Sequence, residues 1–227
     1  FLLQGQQRVK LRLAGRRVKV GCGLLERLVL VDAERSWQLL RRAAREAGDW
    51  ITVDSLAHPV GRGILREPYR WAELEQLVFS PSRWERRLVG STIATIPFID
   101  HRLGRDPAVA ARSLTIIGDL IGDGEPDVQK ALSWALRSLT LVDPAAVADF
   151  VVAQASTARA TEDGHRAWVI RDTLTKLPPQ TASETRSQLD GIRRRTGPPP
   201  TSRAAETVAR FADPPLGAAL SEPPLTR

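Results

Sequence analysis

Cysteine, histidine and methionine are scarce or missing in this sequence. Its 227 residues contain one cysteine, Cys22, three histidines and no methionine, not even at position 1. A single cysteine excludes a disulfide framework and a cysteine-rich zinc site. His58, His101 and His165 are scattered, without the i, i+4 spacing that holds a metal on one helix face. No apolar run reaches the roughly 18 residues needed to span a bilayer. The opening Phe-Leu-Leu-Gln-Gly-Gln-Gln-Arg resembles neither a signal peptide nor a transit peptide. We therefore expect a monomeric cytoplasmic protein with no membrane attachment, metal or cofactor. The missing initial methionine, followed by a basic, glycine-punctuated segment 1–23 with no helical period, is expected to mark a fragment whose start lies upstream.

Lysine is scarce too, but arginine is not. Lys10, Lys19, Lys130 and Lys176 are the only lysines among 33 basic residues, against 26 acids and a net charge of +7. A planar guanidinium binds phosphate oxygens in pairs and stacks on bases. A pI near 10.6 points to a polyanionic partner or an anionic membrane without choosing between them.

Hydrophobic residues make up 42% of the chain, enough to exclude a wholly disordered protein. From Asp32 onward, helical periodicity alternates with short breaks. The first helix is expected at 33–46, capped by Asp32 and ended by Gly48. The second is expected at 50–65, with Pro59, Gly61 and Gly63 kinking or fraying its latter half. Others follow at 69–78, 82–97, 107–121, 126–141, 144–155 and 162–177, with a basic-ended one at 180–195. Ser80-Pro81-Ser82, Asp106-Pro107 and Asp143-Pro144 each place a capping acceptor beside a proline suited to a first helical turn. The first helices of successive pairs start near 33, 69, 107 and 144, a period of roughly 37 residues. This predicts an all-α protein, an α-α superhelix or solenoid of stacked helix pairs over 24–195, with an irregular helical bundle as the alternative. Segment 1–23 is poorly defined. From Thr196, Pro198-Pro199-Pro200, Pro214-Pro215 and Pro223-Pro224 predict a disordered tail over 196–227, with a short helical turn near 203–212.

The unusual residues gather on the second helix of each pair. Trp50 and Asp54 are four apart and share a helix face. Arg87 follows in the next pair, then Lys130, Trp134 and Arg137, then Arg166, Trp168 and Arg171. Stacked side by side, these helices would carry Arg87, Lys130, Arg137, Arg166 and Arg171 on one concave layer, interleaved with Trp50, Trp134 and Trp168. Cations with aromatics between them suit a nucleic-acid backbone. Taken singly, each position has an ordinary structural reading. Trp37, Trp71 and Trp84 are expected in the core, Asp54 could be a satisfied buried acid or a cap, and Arg86-Arg87 could be solvated surface charge.

In combination, these residues resemble a known family. Trp50-x-x-x-Asp54, Trp84-x-x-Arg87 and Val128-Gln129-Lys130-Ala131-x-x-Trp134-x-Leu136-Arg137 match, in order and spacing, the pattern of the AlkD-like DNA alkylation repair enzymes, which are HEAT-like repeat DNA glycosylases. The resemblance covers about 36–155. It implies HEAT-like helix pairs whose concave face holds duplex DNA. It also implies hydrolysis of the N-glycosidic bond of a cationic alkylpurine such as 3-methyladenine or 7-methylguanine. By the same resemblance Asp54 is the catalytic carboxylate, Trp50 and Trp134 flank the sugar, and Arg87 contacts a phosphate. The family ordinarily carries further repeat upstream of the Trp-x-x-x-Asp element, whereas only 49 residues precede Trp50 here. A non-catalytic DNA-binding module and a protein-interaction scaffold are the rival uses of such an array.

Overall fold

The computed structural model describes Arg27 and residues 31–211. The expectations for segment 1–23, and for the tail from 212 onward, fall outside those residues. Among the described residues there are ten α-helices, three short 3-10 turns and no strand. None of the helices is long and apolar enough to cross a membrane.

The helices fall into pairs. α1 (Ala33–Glu46) is followed by α2 (Trp50–Arg66), and α3 (Trp71–Gln76), flanked by 3-10 turns at Pro68–Arg70 and Leu77–Phe79, by α4 (Arg83–Ile99). α5 (Pro107–Leu120) pairs with α6 (Pro126–Leu139), and α7 (Pro144–Thr161) with α8 (Gly164–Thr173). After the 3-10 turn Leu174–Lys176 come α9 (Pro179–Gln188) and α10 (Arg203–Phe211). First and second helices form two layers, so the chain is an all-α superhelix of stacked helix pairs.

Local chemistry explains several helix starts. Asp32 accepts from Arg35 N at 3.2 Å, Asp106 from Ala108 N at 2.8 Å and Asp143 from Ala146 N at 2.9 Å. Each satisfies a first-turn N–H that the helix itself leaves orphaned. Ser82 makes no such bond. Its N–H donates instead to Ser80 Oγ at 3.0 Å.

Several expected helices differ from those observed. The one expected at 144–155 runs on to Thr161, and the one expected at 162–177 is Gly164–Thr173 followed by a 3-10 turn. α2 does not fray at Pro59. It continues to Arg66 because its latter half is clamped in the core through Val60 and Ile64, with Gly61 admitting Ile96 and Ile99 from α4. The helix expected at 69–78 is shortened to Trp71–Gln76 between two 3-10 turns. The helix expected at 180–195 ends at Gln188. Gly191 turns the chain at φ +79°, so Arg193-Arg194-Arg195 lies beyond the helix and not on its dipole.

The second helices pack most intimately. Leu88, Val89, Ile93 and Ile96 of α4 are buried between α2 and α6. Gly90 allows the close approach, since a Cβ there would lie 2.8 Å from the Ala131 carbonyl carbon. Interactions between pairs recur one repeat apart. Arg70, itself 1% exposed, bonds Glu34 at 3.1 Å and stacks 4.5 Å over Trp37. Arg86 bonds Asp123 at 2.7 Å and Arg112 bonds Glu75 at 2.8 Å. These partners lie 36 or 37 residues apart, so the period read from the sequence is also the register of the stack. Trp37 and Trp71 are in the core, and Trp84 is half-buried against it.

The Pro-rich segment from Thr196 folds back across the array as far as Phe211. Thr201 N donates to Gly122 O at 2.9 Å, Ser202 and Ala204 are buried, and α10 packs on α5 and the Leu77–Phe79 turn.

Candidate functional site

Asp54 sits just over one turn into α2. The helix is started by Asp49, whose Oδ1 accepts from Thr52 N at 2.9 Å. Trp50 opens the same helix face and is 53% exposed. The Asp54 side chain is 20% exposed, so its carboxylate is held by the protein yet open on one side.

The hold comes from the next two second helices. Arg87 of α4 donates Nε to Asp54 Oδ1 at 3.1 Å and Nη2 to Oδ2 at 2.7 Å. This is the paired, planar geometry that guanidinium and carboxylate share. Ser91, one turn further along α4, donates Oγ to Oδ1 at 2.5 Å. The remaining Nη1 of Arg87 reaches the Asp127 carbonyl in the first turn of α6 at 2.6 Å. The guanidinium lies 6.0 Å from the Trp50 ring centroid and is buried. Three consecutive second helices thus fix one carboxylate.

The structure brings Asp54, Trp50 and Arg87 together. Trp134 lies on α6, half-buried against the core, four residues after Lys130 and so on its face. Lys130 is exposed and makes no ion pair with any described residue. Arg137 is paired with Asp172 of α8 and also donates to its carbonyl at 3.0 Å. Arg166 is buried, bonded to Asp163 at 3.1 Å and to Gln154. Arg171 is half-buried and donates to the carbonyls of Leu189 and Ile192, the latter at 2.6 Å. Burial, and then the charge of Arg193, push its pKa below the ordinary arginine value. Of the five cations expected along the layer, Lys130 is thus exposed and without an ion pair, while Arg87, Arg137, Arg166 and Arg171 are committed to protein partners.

Sequence reasoning did not find two features. Ser91 lies one helical turn from Arg87, a spacing that would have placed it beside the same carboxylate. Gln129, wholly buried, ties together three segments. Its Nε2 reaches Asp123 O at 2.6 Å and His165 Nδ1 at 3.1 Å, while its Oε1 accepts from Arg194 at 2.8 Å. Arg194 lies 65 residues from Gln129, and no local spacing announces that contact.

Among the described residues, no group of three or more His, Cys, Asp or Glu side chains is placed to hold a metal ion. The model of a family described as DNA alkylation repair enzyme matches residues 19–177. No individual curated protein and no solved structure matches the chain.

Proposed function

Because this chain belongs to the DNA alkylation repair enzyme family, we propose that it is a DNA glycosylase acting on cationic alkylated purines in duplex DNA. The lesions would be of the 3-methyladenine and 7-methylguanine type. The observation that carries this reading is a carboxylate locked by Arg87 and Ser91 yet open on one side, beside a half-exposed indole.

The chemistry asks little of the protein. An alkylated purine already bears a positive charge, so the bonding pair of the breaking C–N bond neutralises it as it leaves. No strong general acid is then required at the base. Positive charge grows on the sugar instead. Asp54, already oriented, stabilises it with no reorganisation at the moment of reaction. A water molecule oriented by the same carboxylate adds to the anomeric carbon, and its proton passes to the carboxylate or to solvent. The indole faces of Trp50 and Trp134 attract the developing cation. Lys130, exposed and without an ion pair to any described residue, suits the DNA backbone, which fixes register without reading sequence, while Arg137 is held by Asp172. In this reading Arg87 acts through Asp54 as a positioning residue, and Arg166 and Arg171 serve the fold.

One observation favours a second reading. The Asp54–Arg87 pair spans 33 residues and resembles the other ion pairs that link successive repeats. As a staple alone, it would belong to a DNA-binding module without catalysis.

The test is release of methylated purines from methylated duplex DNA by the wild type, by Asp54→Asn and by heat-inactivated protein. Release that is largely lost in a folded, DNA-binding Asp54→Asn variant supports the glycosylase. No release by a folded, DNA-binding wild type would sink it in favour of the binding module.

A further inference from the structure

The segment after α9 lies beyond the residues matched by the family, and it carries the run Arg193-Arg194-Arg195. All three are exposed, but the backbone beneath them is fixed. Ile192 is buried just before them, and its carbonyl accepts from Arg171 at 2.6 Å. The run lies directly against the start of α8, where a Cβ on Gly164 would come within 2.3 Å of Arg193 O. Downstream, Pro198 O lies 3.2 Å from His165 Nε2, and Thr201 is bonded to Gly122 and Asp163. The backbone that carries the charges is therefore held at both ends, so no backbone ordering is needed to present them to a ligand.

Their location is the second-helix layer. Arg194 lies with its Cζ 4.8 Å from the Trp168 ring centroid and donates to Gln129 of α6 at 2.8 Å. Trp168 belongs to α8, which packs directly on the helix carrying Lys130 and Trp134. The run thus borders the surface of those two residues on the side away from Asp54.

The charges are also uncompensated. Arg87, Arg137 and Arg166 each face a carboxylate, whereas Arg193, Arg194 and Arg195 make no ion pair with any described residue. The surplus is felt nearby, since Arg193 helps to depress the pKa of Arg171. Three guanidinium groups without an ion pair among the described residues, carried in sequence on a held backbone, fit closely spaced anionic oxygens along one strand of a nucleic-acid backbone.

We propose that Arg193, Arg194 and Arg195 form a phosphate-binding edge that extends the duplex-DNA surface past α8. This rests on the DNA-repair reading above, and the experiment separates failure of the two. Fluorescence anisotropy of an unmodified labelled duplex would be titrated with wild type and with the Arg193→Gln/Arg195→Gln double variant across a salt series. That variant leaves Arg194 on Trp168 and Gln129, and thermal denaturation reports whether it is folded. Each phosphate contact contributes about 0.9 to the slope of log affinity against log salt, so the double variant should lose about 2 from that slope. The Arg193→Lys/Arg195→Lys variant keeps both charges and should restore most of the slope, which a purely structural role would not do. An unchanged slope in a folded glutamine variant would overturn the inference alone. Absence of DNA binding by the wild type would overturn it together with the DNA-binding reading.

Discussion

Arg87 grips both oxygens of Asp54 from the neighbouring repeat, through Nε at 3.1 Å and Nη2 at 2.7 Å. A lysine at this position would keep the charge but could reach only one oxygen, leaving the carboxylate free to rotate. Charge-assisted hydrogen bonds contribute about 1.5–3 kcal/mol each, so losing one from the transition state slows a reaction by about tenfold to a hundredfold. Arg87→Lys should therefore cut base release within that range while weakening DNA binding less. Single-turnover kinetics beside an anisotropy titration would measure both. Unchanged release with a lowered melting temperature would mean that the pair is only a staple.

Ser91 offers a gentler probe of the same carboxylate. Its hydroxyl donates to Asp54 Oδ1 and is buried, so Ser91→Ala removes one hydrogen bond without adding volume. A bond to a charged group contributes about 1.5–3 kcal/mol in full. With both oxygens still held by Arg87, only part of it bears on the rate, about 1 kcal/mol or roughly fivefold. The expected result is a kcat several-fold lower with DNA affinity unchanged. An equal loss of kcat and DNA affinity would show that Ser91 supports the surface as a whole and not the carboxylate.

The helix-pair architecture was legible because stacking writes its period into the chain. Each second helix needs a core-facing stripe, and inter-repeat partners such as Arg86 and Asp123 then fall 37 residues apart. Asp54 and Trp50 were legible for the same local reason, four residues apart on one face. The commitments of the cations were not. Arg166 and Arg171 look like surface charges in sequence, yet one bonds Asp163, the residue that caps its own helix, and the other bonds carbonyls near the end of α9. Those partners are set by where the chain doubles back, and periodicity carries no record of that. Composition likewise suggested disorder from Thr196, because it does not reveal that Ser202 and Ala204 find a binding surface on the array.

The turn between α4 and α5 gives the protein an acid-sensitive element remote from the site. Asp100 Oδ1 accepts from Arg102 N and Leu103 N, both at 2.8 Å. The bond from Leu103 and then that from Arg102 hold the carboxyl below its ordinary pKa. A depressed carboxylate contributes stability that is fully present above its unfolded pKa and is lost as the pH falls through the folded one. Wild type should therefore be more stable than Asp100→Ala at neutral pH, with the difference shrinking under acid. Urea denaturation of both proteins at several pH values checks this. A difference that stays constant down to the most acidic pH would assign the effect to loop packing instead of charge.

Trp50 and Trp134 separate contact from architecture, because one is 53% exposed and the other packs half-buried against the core. Truncating an exposed residue at the start of a helix removes little packing, so Trp50→Ala should leave the melting temperature almost unchanged. If the indole attracts positive charge developing on the sugar, its loss should still be felt in the chemical step. Cation–π attraction contributes about 0.5–2 kcal/mol, which corresponds to a rate lower by about 2- to 30-fold. Trp134→Ala should lower both rate and stability, because it also opens a gap beneath the surface. Phenylalanine at position 50 keeps a π face with a weaker quadrupole and should recover part of the rate, whereas leucine, of similar apolar bulk, should not. Equal recovery by phenylalanine and leucine would reduce the role of Trp50 to excluding water from the carboxylate.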